Sequence, residues 1–485
     1  MFIRGEGSVG SSSFDGEYGP SHRLGKGGTG VNPNASTDPR SAPRGTYMAN
    51  EPAIATTFAV MPGRDEERHP DDVGPSSERR MQPEGRQRGE RGLRGSAKGI
   101  DECIPWPLRG ALRPLVYCYT LFNEVRPRFY VAESRHDADG AVGTVLCAAQ
   151  GRDRRYLLGQ FLGAGYRERC IGRRWLWDIP KVVTREGRGC GMVVVKTLGR
   201  FRRLLKPEQW FYVPGWVTGD VPVPLDPAVL SAETVRSDLR RIQKNGLRFR
   251  VTQDVEQLKD FYDHMYVPYV SQTHGSSAVI MPYESMRAAV RDCELVLVMQ
   301  ADDPIAGMLI SYSQAVPRLW TLGVRDANRD FVRDGAIGAL YHFSLQRLQE
   351  KGYAKASLGL SRPFLQDGVL RYKKKLGMRL SRTGREWFAI RILEDSKATR
   401  ALLEKTPLIV ERDGRLYGLV CLDGSVERFS DEDWERMDRQ FFMEGLSGLQ
   451  IVPFGGSGHD VTVPAHLAGR ISVCSAPEFF RSGHP

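Results

Sequence analysis

The residues best suited to chemistry fall in four short stretches. Gly368-Val369-Leu370-Arg371-Tyr372-Lys373-Lys374-Lys375-Leu376-Gly377 crowds lysines and a phenol onto one short basic helix. Lys373 and Lys374 are suited to pairing with phosphate or steadying a developing oxyanion. Surface lysines need no such role, so both readings stay open. Gly335-Ala336-Ile337-Gly338 opens a longer helix, where small residues let an anion approach the exposed amides of the first turn. The same glycines equally suit close packing of that helix start. His274, in the polar stretch Ser271-Gln272-Thr273-His274-Gly275, is placed to take an amine proton near neutral pH, or simply to face solvent. Arg362 and Asp367 flank the loop into the basic helix, where they orient a substrate or pair with each other. Tyr266 and Tyr269 line a cleft or belong to the core.

Other chemistries find little support. The eight cysteines are scattered, with no CxxC pair and no histidine cluster, so no metal site and no disulfide framework is expected. Unpaired thiols fit a cytoplasmic, reducing compartment. No Ser/Cys–His–Asp set is visible, so no covalent intermediate on such a nucleophile is expected. No apolar run approaches the ~20 residues that cross a bilayer. Gly25–Gly30 has neither a strand before it nor a GK[ST] after it, so it is not read as a phosphate loop.

The elements that must carry these stretches are legible from periodicity. Glu294–Met299, Ile305–Ser313 and Arg318–Val324 read as three strands, with a turn at Asp302-Asp303-Pro304. A helix spans about Asp334 to Lys351, with Gly352 as its stop. Lys355–Leu360 is a strand, Asp367–Leu376 the basic helix and Trp387–Ile392 a closing strand. Ser231–Asn245 is amphipathic, with Val235, Leu239 and Ile242 on one face and Arg236, Arg240, Arg241 and Lys244 on the other. Upstream, Gly191–Lys196 reads as a strand buried on both faces, and Trp210–Val217 as one broken by Pro214-Gly215. Helices are expected around Arg155–Leu162 and Trp175–Thr184.

Charge and composition set the domain plan. The net charge of +11 is concentrated in residues 101–220, which hold 20 Lys+Arg against 12 Asp+Glu. The arginine-rich stretch 152–206 makes an anionic or membrane-surface partner, or a solvated basic face, equally natural. Residues 1–103 are too rich in Gly, Ser, Pro and charge to form a core and read as disordered. Residues 104–230 form a mixed α/β unit and 231–395 a second. Residues 396–485 are an extension, with a hairpin at Leu408–Leu422, an acidic helix at Asp431–Glu444 and a loose tail.

The order strand, strand, strand, helix, strand, helix, strand resembles a GNAT acyltransferase core. Its texture is similar to the FemAB / BioF2-like branch through Phe261–Tyr266, Pro268-Tyr269, His274-Gly275, Gly335–Ala339, Lys351-Gly352-Tyr353, Leu358–Pro363 and Gly368–Gly377. The resemblance implies an α/β (α+β) GNAT fold, with 104–230 as a degenerate first copy of the unit. It implies transfer of an acyl group from acetyl-CoA or another acyl-CoA to an amine, such as a cell-envelope or polysaccharide precursor, with no metal. Aminoacyl-tRNA is the alternative donor, and a non-catalytic module of the same fold the other alternative. In the GNAT pattern the backbone of Thr321, Leu322, Gly323 and Val324 would hold the donor's arm, and Gly335, Ala336, Gly338 and Lys373 its phosphates. Tyr372 would protonate the leaving group, with Lys374 and His274 as catalytic partners and Tyr266, Tyr269, Arg362 and Asp367 around the acceptor. The phosphate-loop pattern [QR]-x-x-G-x-[GA] is met in part, since Arg333 is followed at those offsets by Ala336 and Gly338.

Overall fold

Runs of β-branched and aliphatic residues build one large mixed sheet. The computed structural model describes residues 121–135, 142–163, 165–205, 209–275, 278–427, 429–455 and 461–482, so the low-complexity region expected at 1–103 lies outside them. All described residues belong to the unit Ala53–Pro485.

The first half contributes β1 (Arg128–Arg135), β2 (Val142–Ala148), β3 (Arg167–Arg173), β4 (Met192–Leu198) and β5 (Phe211–Pro222), with helices α1 (Gly151–Leu162) and α2 (Ile179–Glu186). β4 carries the Val193-Val194-Val195 run and is buried on both faces, as expected. β5 does not break at Pro214-Gly215. It runs through them: Pro214 still faces Trp387 in the ladder, and the partner strand shifts register just beyond, between Trp387 and Thr383, opposite Gly215.

The second half begins with the amphipathic helix α3 (Glu233–Lys244) and β6 (Arg248–Thr252). α4 (Val255–Asp260) and α5 (Val267–His274) follow, joined by a π-helical turn at Phe261–Tyr266. Then come β7 (Cys293–Gln300), β8 (Asp303–Ser311), β9 (Arg318–Val324), α6 (Ala336–Glu350), β10 (Lys355–Ser357), α7 (Gly368–Lys375) and β11 (Arg379–Ile392). The β7–β8 turn falls at Ala301-Asp302, and Pro304 lies inside β8 beside a register shift. The last stretch adds α8 (Lys397–Glu404), β12 (Leu408–Arg412), β13 (Arg415–Leu422), α9 (Asp431–Phe441), β14 (Leu449–Pro453) and β15 (Ile471–Val473).

The strands run β3-β1-β2-β4-β11-β5-β10-β9-β8-β7-β6, with β12 through β15 branching from β5. Boundaries drawn at 230/231 and 395/396 therefore cut through a continuous sheet. β11 pairs with β4 of the first half along Glu386–Ile392, and β5 pairs with β10 of the second. The tail expected to be loose is packed where it is described: Phe479 is fully buried, 5.7 Å from Phe211.

One ion cluster ties α6 to the sheet. Glu294, near the start of β7, is buried, and its carboxylate accepts from Arg347 Nε and Nη2 (both 3.0 Å), Lys351 Nζ (2.8 Å) and the Tyr312 hydroxyl (2.8 Å). Burial alone would raise its pKa, but these donors win and bring it from 4.5 down to about 2. A depressed carboxyl stabilises the fold above its unfolded pKa, and that contribution is lost as pH falls from about 4.5 towards about 2. Glu294→Gln is expected to cost about 2–3 kcal/mol at neutral pH and to flatten that part of the acid limb in denaturant titrations.

Candidate active site

The site begins with a parting of strands. β9 is hydrogen-bonded to β8 along its length, but to β10 at one position, Ser357 opposite Arg318, where Ser357 N donates to Pro317 O (2.8 Å). Beyond that point the chain turns away from β9 and towards β5. Leu358 N donates to Gly219 O (3.0 Å), Ser361 N to Val217 O (2.8 Å), and Val217 N to Ser361 O (3.0 Å). Among the described residues, the edge of β9 from Leu319 to Val324 thus has no ladder partner in Leu358–Ser361, and this parting of hydrogen-bond partners is the wedge referred to below.

Lys373 sits at the Leu358–Ser361 wall of this wedge. Asp367 fixes the start of α7 by accepting from Val369 N and Leu370 N, both at 3.0 Å. Two turns on, Lys373 is fully buried. Its Nζ reaches Gly359 O (3.2 Å), Leu360 O (2.8 Å) and Ser361 Oγ (2.9 Å). Gly359 has φ +69°, a left-handed conformation open to glycine, which lets consecutive carbonyls turn to one ammonium. Burial pushes the Lys373 pKa well below the usual lysine range, and the nearby Asp367 carboxylate works against that shift.

Arg362 is packed beside this group. Its guanidinium lies 3.7 Å from the Trp216 ring centroid and 4.6 Å from that of Tyr156, donates to Gly215 O (3.2 Å), and pairs with Asp153 on α1 (2.8 Å). Asp153 also takes Lys196 (2.8 Å). Burial would raise the Asp153 carboxyl, but the two cations hold it below the usual range. Arg362 and Asp367 therefore do not pair with each other. Arg362 turns to α1 of the first half, and Asp367 caps α7 while accepting from the Tyr156 hydroxyl (3.4 Å).

The fold is mixed α/β, built on one large mixed sheet. Its order is β7, β8, β9, α6, β10, α7, β11, with the parted strands between β9 and β10. No family model and no curated protein matches the chain. Among solved structures it is similar to the C-terminal domain of a putative lysylphosphatidylglycerol synthetase from Agrobacterium fabrum, at 13% identity and TM-score 0.27, over 63% of this chain and 93% of that one. It is also similar to FemX, at 13% identity and TM-score 0.28, over 55% and 88%. A GCN5-related N-acetyltransferase from Kribbella flavida matches at 10% identity and TM-score 0.25, over 66% and 80%.

Several residues singled out from the sequence take other places. Gly335 and Gly338 are buried beneath α3: a Cβ on Gly338 would lie 2.9 Å from Asp238 Cβ, and one on Gly335 2.9 Å from Arg241 Cβ. The close approach they allow, with Ala336 fully buried between them, is to a helix rather than to a phosphate. Tyr372 is drawn into the same packing. Its hydroxyl donates to Asp238 Oδ2 (2.8 Å), its ring lies 5.0 Å from Tyr341, and burial followed by the Asp238 charge pushes its pKa well above the usual value. Lys374 points away from Lys373 and donates to Arg439 O (2.7 Å) and Gln440 O (2.9 Å), the closing carbonyls of α9. Burial lowers its pKa to about 8, against the pull of Asp438.

The wedge's other wall is set by Gly323. A Cβ there would fall 2.4 Å from the Met265 carbonyl carbon, so the π-helical turn rests directly on β9. Thr321, Leu322 and Val324 are buried beside it. Tyr266 is a core residue whose hydroxyl accepts from Met281 N (3.0 Å) and donates to Val279 O (3.4 Å). Tyr269 belongs to the same hydrophobic cluster as Leu322, Val324 and Leu358, and burial pushes its phenol up. His274 is the half-buried last residue of α5. Among the described residues, no group of three or more His, Cys, Asp or Glu gathers as a metal site, and no helix is long and apolar enough to cross a membrane.

Asp238 and Asp153 are not singled out by the sequence, and Ser361 and Trp216 enter it only inside longer stretches, with no role of their own. Asp238 carried a signal, as an acidic residue on the amphipathic helix α3 beside its apolar face. Ser361 carried none, because its partner Lys373 lies on another element.

Proposed function

We infer that the chain moves an acyl or aminoacyl group to an amine, with the wedge between β9 and Leu358–Ser361 as the place of transfer. The observation that supports this is the pairing of β9 with β10 at a single position. An unpaired strand edge offers N–H and C=O groups to an extended donor arm. Lys373 is the cation at this wall, and to meet a developing oxyanion its ammonium gives up one of its partners among Gly359 O, Leu360 O and Ser361 Oγ. Its charge is held in a water-poor site, where such a contact counts for more than in bulk solvent. An acidic acceptor, such as an envelope or polysaccharide precursor, suits the basic residues of the first half.

The packing of α3 bears on the donor. A coenzyme diphosphate bound at a helix start needs room over Gly335 and Gly338, and α3 fills that space. An aminoacyl-tRNA ester needs no such nest, so it gains on acetyl-CoA and longer acyl-CoAs. Thermal unfolding with each candidate separates them: the true donor at about 100 times its Kd adds about 2.7 kcal/mol and raises Tm. A shift with acyl-CoA means that α3 moves aside. No shift with any donor, together with no transfer from any, supports a non-catalytic module.

A further inference from the structure

In the first half, two tryptophans remain outside the core. Trp175 and Trp177 flank Leu176 in a 3-10 turn (Leu176–Asp178) between β3 and α2. Leu176 is 2% exposed and anchors the turn, whereas Trp177 is 55% exposed. The two indoles are stacked, with centroids 4.6 Å apart and planes 12° from parallel. Phe122 meets Trp175 edge-on at 5.9 Å, and the Arg126 guanidinium lies 5.1 Å over the Trp175 ring. Backbone contacts brace the turn: Arg173 Nη1 donates to Arg126 O (3.0 Å) and Arg174 N to Pro127 O (3.1 Å). Rings are thus held in register and the ladder ends on an exposed indole face.

A tryptophan more than half exposed yet held stacked on a second ring is a candidate contact point. Its surroundings say what kind. Residues 167–188 hold seven Lys+Arg against three Asp+Glu, and one of those acids, Glu168, is paired with Arg154. Arg174, Arg185 and Arg188 are exposed. Among the described residues β3 is an edge strand, and part of this charge guards that edge against pairing with other strands. Edge protection explains arginines on the strand, such as Arg167 and Arg169, but not a stacked tryptophan pair beyond its end.

We propose that this ladder is a docking site for single-stranded nucleic acid, with an unpaired base continuing the stack on Trp177 and flanking phosphates meeting the surrounding arginines. A flat ring held parallel to its neighbour presents a π-face of the kind bases stack on, and stacking of this sort tolerates any base. Basic side chains around it supply the salt-dependent part of binding. The site does not depend on the transferase reading, since it uses no residue of the wedge.

Fluorescence anisotropy of the full chain with a labelled single-stranded RNA of about 12 nucleotides, from about 50 to about 200 mM salt, tests this. Trp177→Ala is expected to weaken binding about tenfold, whereas Trp177→Phe keeps most of it, because stacking needs a ring. Arg174→Glu is expected to lower the slope of log affinity against log salt by about 0.7 or more. Trp177 is exposed, so its replacement should leave the melting temperature unchanged. Equal binding by wild type and Trp177→Ala overturns the proposal. So does quenching of tryptophan fluorescence by phosphatidylglycerol vesicles without any response to the oligonucleotide.

Discussion

Lys373→Met is expected to lower the rate of transfer about 10²–10³-fold while leaving donor binding intact. Methionine fills nearly the same length but brings neither charge nor donor to the wall of the wedge. Two opposing effects limit the change in stability. The carbonyls of Gly359 and Leu360 and the Ser361 hydroxyl lose a partner, which is destabilising. The desolvation cost of a fully buried ammonium disappears at the same time. A net change within about 2 kcal/mol is expected, small enough to measure turnover on a folded protein. Lys374→Met is the control: its ammonium caps α9, so it should cost about 1 kcal/mol of stability and leave turnover within about twofold.

The pH profile distinguishes a cation from a base at Lys373. Burial lowers its pKa, so the ammonium is lost at a lower pH than in a free lysine. If the charge acts on the oxyanion, the rate falls as pH rises through that pKa, and the residual rate of Lys373→Met lacks the limb. A rate that instead rises over the same range would assign Lys373 as the base and leave the oxyanion without its cation.

Periodicity made the second half legible because its strands and helices bury regular faces. β7, β8, β9 and α6 fall within a few residues of where alternation and helical spacing put them, and the hairpin and acidic helix of the last stretch do likewise. What the pattern cannot carry is the identity of each partner. Val235 and Ile242 mark the buried face of α3, but nothing in the helix says that it lies over Gly335 and Gly338. Lys373 and Lys374 are neighbours in sequence and point about 100° apart on a helix. Which one enters the wedge depends on where β10 and α9 happen to stand. Pro214-Gly215 reads as a break because the compensating irregularity lies on β11, far along the chain.

Glu411 is the place where a substitution tests the architecture itself. It is 3% exposed on β12, opposite Tyr212 of β5, so it joins the last stretch to the first half of the sheet. Its Oε2 accepts from the buried Trp387 indole N–H (2.7 Å), and its Oε1 from Arg202 (3.0 Å) and Arg382 (3.4 Å). Glu411→Ala strands the indole N–H, while Arg382 and part of Arg202 can turn to water. The expected loss is about 3 kcal/mol rather than the upper end for a wholly buried pair. Glu411→Gln keeps an acceptor for Trp387 and should lose about half as much. Adding Trp387→Phe to Glu411→Ala removes the stranded donor, so the double variant should be less destabilised than the two single losses added together. If residues 396–485 formed an independent module, Glu411→Ala would split thermal unfolding into two transitions. Because β12 is laid against β5 in the same sheet, one transition at lower temperature is expected.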